Sequence, residues 1–108
     1  MEIYRNTLEI IKNSLIPGKV IVIYGPRQVG KTTLMRMLMA KMSEKTRFFN
    51  ADELIYRDML SSQSIQQLGN LIGDTELVII DEAQRIENIG LNLKLIVDNF
   101  PNVILIAT

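Results

Sequence analysis

The chain has 108 residues, of which 47% are hydrophobic and 22% charged, a size and composition that allow one globular domain at most. Its 12 Lys and Arg residues balance its 12 Asp and Glu residues, so no basic field indicates nucleic acid or an anionic membrane as a partner. Cysteine and histidine are both absent, which excludes disulfides and thiolate metal sites and leaves catalysis to carboxylate, lysine and metal. No apolar run could cross a bilayer and the N-terminus lacks a signal-peptide core, so we expect a cytoplasmic protein.

The first predicted elements are a helix and a buried strand. Apolar residues recur at helical spacing up to Pro17-Gly18 and indicate an amphipathic helix: Tyr4, Leu8, Ile11 and Leu15. The segment Lys19–Tyr24 is short, apolar and rich in β-branched residues, which predicts a parallel strand buried on both faces.

A phosphate-binding pattern follows this strand. It reads Gly25-Pro26-Arg27-Gln28-Val29-Gly30-Lys31-Thr32, with the residue types and spacing of a nucleotide-binding loop. The glycines allow a tight turn whose backbone N–H groups point into one concavity. Lys31 offers a cation to the β- and γ-phosphates, and Thr32 offers a hydroxyl that Mg²⁺ accepts. Two further residues have open alternatives: Arg27 either contacts phosphate or is solvated, and Thr33 contacts the α-phosphate or bonds its own helix.

A helix and a second strand come next. Apolar residues at helical spacing predict a helix from Thr33 to about Lys45, and its methionines indicate adaptable core packing rather than a ligand site. Arg47–Asn50 predicts the strand. Asp52 is expected to cap a helix through Leu60, and Ser64 is expected to cap another through Ile72. Three basic residues are expected to be solvated surface charges: Arg47, Arg57 and Lys94.

The third predicted strand, Glu76–Ile80, runs directly into two carboxylates, Asp81 and Glu82. Open parallel sheets bind ligands at the carboxyl ends of their strands, and two acids there are costly unless something pairs with them. We therefore expect Asp81 to hold Mg²⁺ and Glu82 to polarise an attacking water as general base. Gln84 and Arg85 are expected to be exposed turn residues, with γ-phosphate sensing or a subunit contact as the alternative.

A last helix and strand complete the predicted order. A helical apolar stripe runs from Ile89 to Phe100 and is ended by Pro101, and Val103–Ala107 predicts the fourth strand. Strands that alternate with helices favour an α/β fold, with a parallel sheet in three layers and right-handed crossovers.

Together, the phosphate loop and the Asp81-Glu82 pair resemble the Walker A and Walker B motifs of P-loop ATPases of the AAA+ lineage. More narrowly, Gly25–Leu34, Phe48–Asp52 and Ile80–Ile86 resemble a family of archaeal and bacterial ATPases that usually carry a C-terminal domain of unknown function. The resemblance implies ATP and Mg²⁺ as cofactors, a P-loop NTPase sheet ordered 5-1-4-3-2, and a polar sensor near Thr108 at the end of strand 4.

Four of those five strands are predicted here, and no lid domain is recognisable. We therefore expect residues 1–108 to form a partial ATP-binding domain, an N-terminal piece of a longer protein. Its expected partners are ATP, the rest of the same protein and possible further copies of the chain, with neither membrane nor nucleic acid indicated.

The leading functional hypothesis is Mg²⁺-dependent ATP hydrolysis coupled to a conformational change in an attached domain or partner. A helicase core is one alternative, because Asp81-Glu82-Ala83-Gln84 resembles a DEAD/DEAH box. However, Lys31 and Asp81 are only 50 positions apart, and the neutral charge disfavours a nucleic-acid partner. A small-molecule kinase would use the same loop, but the paired acids favour water as acceptor. A GTPase is disfavoured because no Asn-Lys-x-Asp segment occurs. A nucleotide-binding fragment without turnover is the remaining, non-enzymatic alternative.

Overall fold

The computed structural model describes residues 18–22, 29–41 and 45–108. Over these residues, strands and α-helices follow one another along the chain. They are β1 (Val20–Val22), α1 (Val29–Lys41), β2 (Thr46–Asn50), α2 (Leu54–Leu60), α3 (Ile65–Ile72), β3 (Leu77–Asp81), α4 (Ile89–Asn99) and β4 (Ile104–Ala107), with a 3₁₀ turn at Ala83–Arg85 after β3. The predicted N-terminal helix lies outside the described residues.

The four strands form one parallel sheet in the order β1-β4-β3-β2. This confirms the α/β fold class and matches four of the five positions in the expected 5-1-4-3-2 order. The register pairs Val22 with Ala107, Ala107 with Ile80, and Asn50 with Asp81. The carboxyl ends of all four strands therefore meet along one edge of the sheet, which we call the carboxyl edge.

Apolar side chains cover both faces of the sheet and create the three layers. Alternate residues of a strand point to opposite faces, and in β3 Leu77 and Ile79 join Met35 and Leu38 of α1 in one core cluster. Val78 and Ile80 belong to the other cluster. The buried residues of this second cluster come from the sheet, its following turns and the helices α2, α3 and α4: Phe49, Ala51, Leu60, Leu68, Leu71, Ile72, Val78, Ile80, Ala83, Ile86, Ile96, Val103, Leu105 and Ala107.

Two expected helix caps have different outcomes. The Ser64 cap is confirmed, since its Oγ accepts a hydrogen bond from the Gln67 N–H at 3.2 Å. The Asp52 cap is wrong, because Glu53 occupies the cap position of α2 and makes no side-chain cap bond. Asp52 instead forms an ion pair with Arg85, and a charged partner offers a carboxylate more than one backbone N–H does.

Two of the three expected surface charges are also more engaged than predicted. The Arg47 guanidinium donates to the Leu71 carbonyl at 3.1 Å, and Arg57 Nε donates to the Ala51 carbonyl at 2.9 Å. Both side chains therefore bridge separate segments of the chain. The third, Lys94, is exposed on α4 as expected.

Candidate functional site

Helix α1 begins at Val29, inside the phosphate-binding pattern and four residues earlier than expected. Gly30, Lys31 and Thr32 thus lie in its first turn, where backbone N–H groups have no partner within the helix. Such N–H groups and the helix dipole together form a ready anion site. The half-buried Thr33 follows at the start of the second turn. Gly25–Gln28 lie outside the described residues, so the roles of Arg27 and Gln28, like those of the Lys31 and Thr32 side chains, stay predictions.

Asp81 is the last residue of β3, and its carboxylate is held at the carboxyl edge by two donors. The Thr108 hydroxyl donates to Asp81 Oδ1 at 3.1 Å, and the Glu82 N–H donates to the same oxygen at 2.9 Å. Thr108 follows β4, and its own N–H donates to the Ile80 carbonyl at 2.9 Å. A side chain predicted only by resemblance therefore contacts the candidate metal ligand directly.

Glu82 directly follows β3 and has left-handed backbone angles, φ 57° and ψ 39°. Residues other than glycine adopt this region infrequently, and such conformations are concentrated at functional sites. The Glu82 side chain is only 7% exposed, and a buried carboxylate needs polar partners. Gln84 Nε2 provides one of them, donating to Glu82 Oε2 at 2.6 Å.

Arg85 connects this acidic pair to the neighbouring strand. Its Nε forms an ion pair with Asp52 Oδ1 at 2.6 Å and lies 3.8 Å from Glu82 Oε2. Gln84 and Arg85 are exposed, as expected, but both also contact functional candidates. The sequence did not indicate Asp52 as a site residue, because its partner Arg85 lies 33 positions away. Only the pairing of β2 with β3 brings the turns that follow these two strands together.

Two cavities lie at opposite edges of the sheet. One of about 290 Å³ borders Asp81 and is lined by Arg36, Met39, Phe48, Asn50 and Asp81. A larger one, of about 450 Å³, lies where β3 and β4 begin, at the opposite edge of the sheet, which we call the amino edge. It lies between the loop Gly73–Glu76 and the segment Asn99–Val103. Ligands of open parallel sheets bind outside the carboxyl ends of the strands, so the smaller cavity is the one beside the candidate chemistry.

The residues present fit a magnesium nucleotide better than a metal held by protein alone. Mg²⁺ is usually bound through one or two carboxylates together with substrate phosphates and waters. Asp81 offers one half-buried carboxylate at the right edge. Over the part of the chain that the structure describes, no group of three or more acidic, His or Cys side chains could hold a metal.

A parallel sheet with helices on both faces, whose first strand leads through a phosphate-loop pattern into a helix, is the α/β fold of P-loop NTPase-like domains. Residues 17–108 match the family described as AAA domain. The chain belongs to this family of AAA-like P-loop domains, and membership indicates nucleotide binding and an ATPase-like function.

Two curated mycobacterial relatives match the chain. It is 33% identical over 94 residues to an uncharacterized protein of Mycobacterium tuberculosis and, equally, to an uncharacterized protein of Mycobacterium bovis. Each match covers 87% of this chain and 20% of the relative, so the chain spans about a fifth of the length of these proteins. No solved structure gave a significant match. Among the described residues, no helix has the length and apolar character needed to cross a membrane.

Proposed function

We propose that the chain is the ATP-binding core of a Mg²⁺-dependent ATPase whose turnover drives a conformational change in an attached domain or partner. One observation carries this proposal: over the described residues, the four strand ends meet at the carboxyl edge, where Asp81 ends β3 and Glu82 follows it, and where β1 leads toward the helix that begins inside the phosphate-loop pattern. Family membership supports the same class of activity.

Each residue of the site has a proposed role. The backbone N–H groups of residues 25 and 27–32, with Lys31, hold the phosphates, and Thr33 supports them. Thr32 and Asp81 hold Mg²⁺, which when bound supplies positive charge to the phosphate oxygens. Glu82 orients the water for in-line attack on the γ-phosphate and accepts its proton.

The narrower resemblance extends the proposal beyond these residues. We place the chain with the archaeal and bacterial ATPases that usually carry a C-terminal domain of unknown function. The mycobacterial relatives are about five times as long as the segment matched here, which supports an attached domain as the moving part. The rest of the same protein and further copies of the chain are the proposed partners.

Substitutions of the two acids test the proposal by separating binding from chemistry. Glu82→Gln should retain Mg-ATP and reduce turnover by about 10²- to 10⁴-fold, the usual contribution of a general base. Asp81→Asn should weaken only the Mg²⁺-dependent part of ATP binding. Calorimetry with and without Mg²⁺ and a phosphate-release assay provide the two readouts, carried out on the protein as its natural gene encodes it.

Glu87→Gln is the matched control, because Glu87 is exposed and lies only five positions further along the chain. It should hydrolyse ATP at the parental rate. If Glu82→Gln also hydrolyses ATP at that rate, the proposed role of Glu82 is wrong. Binding without turnover in the parental protein would favour the non-enzymatic alternative, and stimulation of turnover by nucleic acid would favour the helicase alternative.

A further inference from the structure

We propose that Gln84, Arg85 and Asp52 form a positioning network that fixes the orientation of the Glu82 carboxylate. This inference rests on the proposed function, because it concerns the group that activates water there. None of the three is assigned contact with the nucleotide, so they are positioning residues rather than catalytic ones.

Two nitrogen atoms lie close to Glu82 Oε2. Gln84 Nε2 donates to this oxygen at 2.6 Å, a short bond of the kind made to a charged acceptor. Arg85 Nε lies 3.8 Å from the same oxygen. The terminal torsion of a glutamate side chain is intrinsically broad, so one hydrogen bond and a nearby cation at the same oxygen restrict a rotation that the chain alone leaves free.

Arg85 is itself anchored to the turn that follows β2. Its Nε forms an ion pair with Asp52 Oδ1 at 2.6 Å, so the guanidinium lies within 4 Å of two carboxylates that follow different strands. The Asp52 turn is itself held, since Asn50 Oδ1 accepts the Asp52 N–H at 2.9 Å and Arg57 donates to the Ala51 carbonyl. Arg85 thus links the turn at Asp52, which follows β2, to Glu82, which follows β3.

The backbone of Glu82 is constrained as well as its side chain. Its left-handed conformation is unfavourable for a residue with a side chain, and it persists only where the surroundings over-determine it. The Glu82 N–H bond to Asp81 and the side-chain bond from Gln84 supply two such constraints. Backbone and side chain together therefore hold a single orientation before any substrate binds, which is the preorganisation that catalytic groups need.

The test compares kcat and KM for ATP hydrolysis in variants of the network. Gln84→Ala, Arg85→Ala and Asp52→Asn should each lower kcat by about 10- to 100-fold, since a misplacement of about 1 Å can cost about 10²-fold. KM should change by less than about twofold, because an interaction made only in the transition state affects kcat and not substrate binding. Arg85→Lys should recover part of the loss, because it restores a cation beside Asp52 without the planar fork of arginine.

Two exposed residues of α4 supply matched controls. Lys94→Ala removes a cation as Arg85→Ala does, and Asp98→Asn neutralises an acid as Asp52→Asn does. Both should keep the parental kcat. Placing Gln84→Ala or Arg85→Ala in a Glu82→Gln background should cause no further loss, because residues that act through one group are not additive.

Three outcomes would overturn the inference. Parental kcat in Gln84→Ala and Asp52→Asn, beside an inactive Glu82→Gln, would leave the proposed function standing and show that the network has no catalytic effect. A kcat above the parental value would show that the network restrains Glu82 instead of positioning it. A parental protein without ATPase activity would refute the proposed function and this inference with it.

Discussion

Asp81 and Glu82 are adjacent in the chain, yet their carboxylates have different surroundings. Asp81 is half buried, and its Oδ1 receives bonds from the Thr108 hydroxyl and the Glu82 N–H. Glu82 is almost fully buried and is bound by Gln84. This difference supports separate roles for two acids that the sequence alone presents as a pair, one for the metal and one for water.

The phosphate-binding role of Lys31 gives the first prediction at the scale of single residues. Lys31→Ala should weaken ATP binding by about 10- to 100-fold, because a hydrogen bond to a charged group contributes about 1.5–3 kcal/mol. Titration calorimetry measures the affinity, and circular dichroism checks that the fold is intact. Lys45→Ala is the control, since Lys45 is exposed and its charge lies 3.9 Å from Asp74, at the amino edge. Unchanged ATP affinity in a folded Lys31→Ala protein would contradict the assignment.

The hydrogen bond from Thr108 to Asp81 gives a second prediction. Thr108→Val keeps the side-chain shape but removes the hydroxyl, so the Mg²⁺-dependent part of ATP affinity should fall by about tenfold, the effect of losing about 1.5 kcal/mol of charge-assisted bonding. Thr108→Ser retains the donor and should bind as the parent does. Calorimetry with and without Mg²⁺ separates the two variants, and equal affinities for Val and Ser would refute a role for the hydroxyl.

At this scale the sequence identified residue types better than their partners. The spacing around Lys31 and the acids after β3 were visible because each forms a local pattern. The Asp52–Arg85 ion pair was not visible in the sequence. It depends on the pairing of β2 with β3 and on the conformation of the turn that follows each strand. Asp is also a common residue type at helix caps, so the local sequence predicted that Asp52 caps α2. That prediction was wrong because Arg85 provides a charged partner for its carboxylate.

The helices and strands themselves were largely predictable. Apolar runs identified all four strands, with ends that shift by at most one residue where the structure describes them, for example β3 at Leu77–Asp81 instead of Glu76–Ile80. The start of α1 was placed four residues late, because the phosphate-loop pattern was interpreted as loop throughout. Helical hydrogen bonding extends into that pattern, and local sequence gives little warning of such an overlap.

A buried amide on α4 gives the prediction at the scale of the elements. Asn92 is fully buried. It accepts the Gln63 N–H at 2.9 Å and donates to the Asn88 carbonyl at 3.0 Å, so it ties the turn between α2 and α3 to α4. Asn92→Ala removes both hydrogen bonds of this buried side chain, each contributing about 0.5–1.5 kcal/mol, and should lower the free energy of unfolding by about 1–3 kcal/mol.

Urea denaturation measures this change, and the same helix provides its control. Asn99 also donates to the carbonyl four residues before it, at 2.8 Å from Leu95, but it is exposed. Asn99→Ala should therefore change stability by no more than about 0.5 kcal/mol, as surface substitutions usually do. If the two variants lost the same free energy of unfolding, burial of Asn92 would not explain the contribution of its hydrogen bonds.

At the scale of the whole molecule, the outer edge of β1 determines the expected behaviour in solution. Within the described residues, β1 pairs with β4 only, and Val22 is 45% exposed. An unpaired apolar edge is a template for association with another chain. The 108-residue chain on its own should therefore self-associate or be marginally stable, which sedimentation velocity and thermal denaturation would reveal.

A charged residue on an edge strand is a common way to block such pairing. Val22→Lys should shift the 108-residue chain toward monomer in sedimentation, whereas Leu91→Lys, at an exposed apolar residue of α4, should not. A parental chain that is already monomeric and stable would contradict this account of the edge.

We propose above all that a magnesium nucleotide binds at the carboxyl edge, between the start of α1 and the two acids at the end of β3. A crystal structure of the protein with Mg²⁺ and a non-hydrolysable ATP analogue tests it most directly. We expect the phosphates on the backbone N–H groups of residues 25 and 27–32, with the metal bound to Asp81 directly at about 2.0–2.1 Å or through one of its waters. A nucleotide in the cavity at the amino edge, or a metal with no contact to Asp81 of either kind, would contradict it.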